Sequence, residues 1–301
     1  MSLRLKMLRA AARAPSRLRD RTARVAAFLR SRMNPNGGFR GRASASDLYY
    51  AVFGLAGLAA LCRPAATRPV RQYLETFGDG ESLDFLHLAC LARCWASLAR
   101  EETTPKQRAA RAARRRHLRD RLRAFRSADG GYNAVRGAPR ATAYACFLAL
   151  GAHQDLGTRA PVEPGLAGCL AALRTRDGAF ANEPGEARGL TAPTAAAAVL
   201  LAELGRPVPP GVAEWLLARA HRDGGFAAAP STPIPDLLST ATALHALATL
   251  GAPVDGVRQP CLDFIDSLWS DEGGFRGHWA DDAVDCEYTW YGLLALGHLD
   301  G

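Results

Sequence analysis

Five short turns constrain this chain more than any other feature. NGGF ends at Phe39, DGGY at Tyr132, DGAF at Phe180, DGGF at Phe226 and EGGF at Phe275. The last three intervals are 48, 46 and 49 residues, and the first is 93, close to two such periods. A degenerate copy fits the gap: FGDGESLDFLHLACL, residues 77–91, places turn residues before an apolar run. Self-similarity at this period marks a repeat architecture, here of six units.

Each unit reads the same way. An amphipathic helix such as VAEWLLARA (212–220) or CLDFIDSLW (261–269) comes first. Glycine in the turn then supplies the positive φ that ends a helix and reverses the chain. A short polar loop follows, then a second, almost wholly apolar helix such as TAYACFLALG (142–151) or STATALHALATLG (239–251). A helix with one charged face can meet solvent, whereas one apolar all round must be enclosed. Six such hairpins bury the dry set by closing into a ring. An open solenoid would need polar capping repeats, and the sixth repeat is not polar outside its loop. The expectation is an all-α fold, an α/α toroid (a six-hairpin α6/α6 barrel), with residues 1–301 as one domain. In it repeat six neighbours repeat one, and every loop opens at one mouth.

Composition agrees. The 301 residues are 48% apolar and 22% charged, rich in Ala, Leu and Arg, with no sustained alternation of period two. The formal charge of +9 is nearly all arginine, Lys6 and Lys106 being the lysines. It permits anionic partners and demonstrates none. No apolar stretch reaches the ~20 residues of a membrane span, and residues 1–21 lack a secretory core. That N-terminus reads as a solvated first helix, with peripheral membrane contact as the alternative. Seven cysteines without CxxC pairing read as reduced core residues, consistent with a cytoplasmic setting. Residues 106–126, KQRAARAARRRHLRDRLRAFR, read as an outer helix with a solvated face, or a dock for an acidic protein partner or membrane. No nucleic-acid motif accompanies the charge, and nucleic acid is excluded as a partner.

The glycine-aromatic turns at this spacing, each before an apolar helix, resemble the prenyltransferase and squalene-cyclase repeat superfamily. Triterpene cyclases of that superfamily resemble two fused barrels and carry an Asp-x-Asp-Asp motif. Asp281, Asp282 and Asp285 do not match its spacing. The single barrel is most similar to β subunits of protein prenyltransferases, of the geranylgeranyl-transferase type. That resemblance implies an isoprenoid, allylic diphosphate substrate, an acceptor or second subunit, and Zn2+ or another divalent metal. It also implies a metal set of Asp-x-Cys and Asp-x-x-His. GGFRGHWADDAVDCEYTW resembles the stretch bearing the first: Asp285 matches the metal Asp and Tyr288 the following aromatic. Glu287 occupies the cysteine position and Cys286 comes one place early, about 100° round a helix. Asp47 matches the second motif in repeat one, where Tyr50 replaces its His; repeat two keeps Asp84 and His87.

The residues thus give catalytic candidates Asp285, Glu287 and Tyr288, and a metal set of Asp285, Glu287, Asp47 and His87, with Asp84 beside them. Substrate-binding candidates are Tyr50 and the loop arginines Arg40, Arg42, Arg136, Arg140 and Arg276. Asp281 and Asp282 stand where the family places a basic residue. Plainer readings stand beside these. Asp47, Asp84 and Asp285 each start an inner helix, where Asp caps free N–H groups, as Asp236 does in repeat five. Cys286 reads as a bystander and His245 as a core residue. Tyr49, Tyr144, Trp290 and Tyr291 read as barrel filling, Tyr50 and Tyr288 as cavity residues. The functional expectation is a prenyltransferase-like transferase acting on or binding an isoprenoid. The alternatives are a scaffold that has lost the zinc site, a terpene cyclase-like enzyme, and a carboxylate-pair glycoside-active enzyme.

Overall fold

The computed structural model describes residues 1–99, 104–157 and 164–300. Six inner helices form the barrel: α4 (Leu48–Ala60), α6 (Phe85–Leu98), α8 (Ala143–Asp155), α10 (Thr191–Glu203), α12 (Leu237–Leu250) and α14 (Cys286–His298). Each packs against the next, and α14 packs against α4, so the ring closes. Six outer helices jacket it: α3 (Arg21–Ser31), α5 (Thr67–Glu75), α7 (Pro105–Arg123), α9 (Pro164–Ala172), α11 (Val212–Leu217) and α13 (Asp255–Ser267). A two-residue ribbon, β1 (Phe226–Ala227) with β2 (Pro235–Asp236), stiffens the loop of repeat five. No helix among the described residues is long and apolar enough to cross a membrane.

The turns work as their sequence suggests. Phe39, Phe180, Phe226 and Phe275 are fully buried, and each pairs in an antiparallel bridge with the residue six places earlier, as Tyr132 also does. Their backbone N–H groups are satisfied from the following inner helix in three repeats. Phe180 N donates to Thr194 Oγ1 at 3.1 Å, Phe226 N to Thr240 Oγ1 at 2.9 Å and Phe275 N to Thr289 Oγ1 at 3.4 Å. Each threonine is buried and sits four residues past its helix cap, so one side chain locks turn, loop and helix together.

The loops also lock neighbouring repeats. Asn182 O and Oδ1 accept from Ala143 N and Tyr144 N at the start of α8; Ala228 O accepts from Thr191 N, and Gly277 O from Leu237 N. These three loops therefore cap the inner helix of the preceding repeat. At the seam, Arg42 of repeat one instead pairs with two carboxylates of repeat six, Asp281 and the helix cap Asp285. Arg21–Asp266 and Arg32–Glu272 pairs stitch the same seam outside.

The first helix departs from its sequence reading. Two N-terminal helices, α1 (Leu3–Ala11) and α2 (Ala14–Leu18), precede repeat one. Rather than lying solvated, α1 crosses the end of the barrel where the inner helices finish, packing on α4, α8 and α14. Leu3, Met7, Ala10 and Ala11 are buried, and Gly297 of α14 lies so close that a Cβ there would meet Ala10 O at 1.9 Å. Arg4 pairs with Asp155 at 2.9 Å and Lys6 with Glu203, both partners at inner-helix C-termini. Cations there also suit the helix dipole. The barrel is thus sealed at one end and open at the end where the inner helices begin.

Candidate functional site

A cavity of about 380 Å3 fills the barrel axis. Its wall has a simple register. The second residue of every inner helix lines it: Tyr49, Leu86, Tyr144, Ala192, Leu238 and Glu287. So does the sixth: Phe53, Cys90, Leu148, Ala196, Thr242 and Tyr291. Residues four apart share a helix face, so these make two stacked rings. Below them Arg93, Val199, His245 and Leu294 form a deeper layer, and Met7 of α1 contributes to the floor. The void is lined on α10 by the small side chains Ala192, Ala195 and Ala196, whereas α4, α8 and α14 carry Tyr49, Phe53, Phe147, Trp290 and Tyr291.

This register corrects the tyrosine assignments. Tyr49 and Tyr291, read as filling, line the cavity, and Tyr50 and Tyr288 do not. Both sit one residue later on their helices, about 100° away. Their rings lie over loop glycines of their own repeats, where a Cβ on Gly41 would meet Tyr50 at 2.0 Å and one on Gly277 would meet Tyr288 at 2.5 Å. Counting two and six residues from each N-cap was the signal that would have found the wall.

Glu287 is the carboxyl among the cavity-lining residues. Tyr49 Oη donates to its Oε1 at 2.5 Å across the seam. Burial raises the Glu287 pKa, and the Asp285 charge adds to this, against the opposing Tyr49 bond and Arg42 charge. Its proton is thus held more firmly folded than unfolded. Stability must then fall as pH rises from the ordinary glutamate range through the raised value, and level off above it. Glu287→Gln lacks that loss. In denaturant unfolding it is expected to gain on the wild type as pH rises above the ordinary glutamate range. An unchanged difference across that rise would contradict the assignment.

Asp285 is a cap. Its Oδ1 accepts from Tyr288 N at 2.9 Å, and Arg42 Nε lies 3.4 Å from Oδ2. The side chain is 1% exposed. Burial raises its pKa against those bonds. Asp47 caps α4 through Tyr49 N at 2.8 Å, and Asp84 caps α6 through His87 N at 2.9 Å. The His87 ring bridges them, Nδ1 to Asp84 at 2.8 Å and Nε2 to Asp47 at 3.2 Å. The predicted set therefore divides: Asp47 and Asp84 each bond to His87, Asp285 to Arg42, and Glu287 to Tyr49. Among the described residues no three His, Cys, Asp or Glu side chains converge to hold a metal ion. Cys286 is fully buried, its thiol pushed up to about 12, first by burial and then by Asp285. A zinc-held thiolate chemistry does not fit these donors.

The loop arginines are mostly committed. Arg42 pairs with both aspartates, Arg276 lies 4.0 Å from Asp282, and Arg136 stacks over Phe125 at 4.9 Å. Arg40 makes a long contact to Asn34 at 3.5 Å, and Arg140 is exposed. His245 has the partner that the sequence did not show. Its Nδ1 lies 3.0 Å from His298 Nε2, and burial lowers the pair to about 4 and about 3, leaving both neutral.

The chain matches the prenyltransferase α/α toroid domain family over residues 5–76 and 196–300, more than half its length. It belongs to that family. The toroid is also similar to solved structures of the type II terpene cyclase MstE from Scytonema. A variant bound to the product merosterolic acid A is 15% identical, with a TM-score of 0.63 over 95% of this chain and 97% of that one. Another, bound to the substrate geranylgeranyl dihydroxybenzoate, is 14% identical with a TM-score of 0.63 and the same coverage. At this identity the likeness is one of fold. The coverage of 95% and 97% shows that the MstE chain is similar in length to this one. A comparison with curated protein sequences finds no match.

Proposed function

We propose that this toroid binds an isoprenoid in its barrel and acts on it by proton transfer at Glu287. The observation that carries the reading is the cavity itself: an apolar, aromatic-walled chamber, open at one end, with one carboxyl in its wall. A volume of about 380 Å3 lies in the range of small-molecule sites, which are concave, mostly apolar and carry few polar groups. A scaffold that had given up ligand binding has no need of an unfilled core. Aromatic faces attract cations, which suits a carbocation formed from an isoprenoid.

Two reaction classes fit the same carboxyl. In prenyl transfer, the C–O bond of an allylic diphosphate breaks, the acceptor forms a bond to the cation, and Glu287 as carboxylate takes the acceptor's proton. In cyclisation, Glu287 as acid gives a proton to an alkene, and a proton is lost when the final cation collapses. The raised pKa favours the protonated form that cyclisation needs. The MstE likeness supports the same side, and the lack of an Asp-x-Asp-Asp motif weighs against it. Turnover of farnesyl and geranylgeranyl diphosphate and their alcohols in D2O separates the two. Cyclisation places solvent deuterium on a new carbon position, whereas transfer releases diphosphate without it. Either activity should vanish in Glu287→Gln. A Gln variant as active as the wild type would overturn the catalytic reading.

A further inference from the structure

A second cavity of about 190 Å3 lies beside the floor of the first, between α1, α4 and α6. Met7, Val52, Arg93 and Trp290 line both, so these four side chains face the two chambers where they adjoin. The two chambers differ in character. The larger is walled by aromatic and aliphatic groups. The smaller carries Arg4, Arg93 and Ser97.

The charges there do not balance. Arg4 Nε pairs with Asp155 Oδ1 at 2.9 Å, and Arg93 Nε lies 3.5 Å from Asp155 Oδ2. Two guanidinium groups thus share one carboxylate. Asp155 is 1% exposed at its side chain, and each arginine 19%. The neighbouring Lys6–Glu203 pair is neutral as a unit and does not offset the surplus. That Nε contact is an ion pair too loose for a hydrogen bond, since Asp155 Oδ2 is without a hydrogen-bond partner, and the terminal nitrogens of Arg93 lie further from the carboxylate as donors for a ligand. A largely buried surplus cation is costly unless an anion shares the site. A guanidinium fork matches a planar oxyanion through two parallel N–H bonds.

We infer that the smaller chamber binds a carboxylate at one end of the isoprenoid, held by Arg93 with Arg4 beside it, while the hydrocarbon lies in the aromatic chamber. One surplus charge and a small volume suit a monoanion rather than a diphosphate. The site also lies on the side of the barrel away from Glu287. Seven residues separate the ring of Glu287 from the layer of Arg93, about 10 Å along the axis at 1.5 Å per residue. The ligand's anchored end and its reacting end are thereby kept apart. The inference rests on the isoprenoid reading and adds the chemistry of the head group.

Isothermal titration with farnesoic acid, farnesol and farnesyl diphosphate tests it. The wild type is expected to bind farnesoic acid about 10- to 100-fold more tightly than farnesol, the range for hydrogen bonds to charged groups. Arg93→Gln should abolish that preference, so that the variant binds acid and alcohol equally. Arg93→Lys, which keeps the charge, should retain part of it. Melting temperatures report whether the variants are folded. Equal affinity for acid and alcohol in the wild type, or a preference that survives Arg93→Gln, would overturn the inference and leave the isoprenoid reading standing. A diphosphate bound more tightly than the acid through Arg93 would overturn the assignment of a carboxylate. No binding of any of the three would overturn both.

Discussion

Ala196→Trp should abolish isoprenoid binding while leaving the protein folded. Ala196 is the sixth residue of α10, on the wall that alanines leave unfilled. An indole there occupies the volume that the ligand's hydrocarbon needs. Affinity for farnesol should fall more than about 30-fold, the loss of roughly 2 kcal/mol that displacing one large apolar group entails. The melting temperature should move by only about 2–4 °C, because the side chain enters a void instead of a packed core. Titration calorimetry and a thermal melt check the two halves. Undiminished affinity would place the ligand elsewhere.

The second large effect concerns the seam. Gly273 has φ +97°, and a Cβ there would lie 2.8 Å from Arg24 O on α3, the outer helix of repeat one. Gly178, at the same place in repeat four, has φ +86° with nothing within 4 Å of a Cβ. Both alanine variants carry the left-handed backbone strain, about 1–2 kcal/mol. The contact across the seam is added only at Gly273. Gly273→Ala is therefore expected to cost about 3 kcal/mol or more, a Tm drop near 6–12 °C, against about half that for Gly178→Ala. Equal losses would mean that repeats six and one do not press together as the closed ring requires.

The architecture was legible because its determinants are local and repeated. Glycine at positive φ and a buried aromatic recur in register, and the degenerate copy at residues 77–91 was placed by arithmetic. It leads into α6, as expected. Closure was legible from polarity, since six dry helices need one another. The first helix was not, because what enfolds it is remote. Its ionic partners Asp155 and Glu203 lie 151 and 197 residues along the chain. Arg4 and Lys6 look solvated until those carboxylates are brought beneath them.

The site was legible in part for the same reason. Asp285 and Glu287 are where the seam was expected, one as a cap and the other in the wall. Which tyrosine of a pair faces inward depends on where a helix begins, and one residue of error turns a side chain by about 100°. Tyr49 and Tyr50 changed places on that account. The split of Asp285 and Glu287 from the Asp47–His87 pair arises from contacts between repeats, which spacing within one repeat does not encode.

The central claim is that hydrocarbon occupies the barrel. A farnesol analogue carrying a diazirine on its tail, photolysed with the protein and mapped by peptide mass spectrometry, tests it most directly. Labels are predicted on the cavity-facing residues Phe53, Phe147, Ala196 and Tyr291, and should be competed away by farnesol. Labelling confined to outer helices such as α7 or α13, with those four residues unmodified, would contradict it.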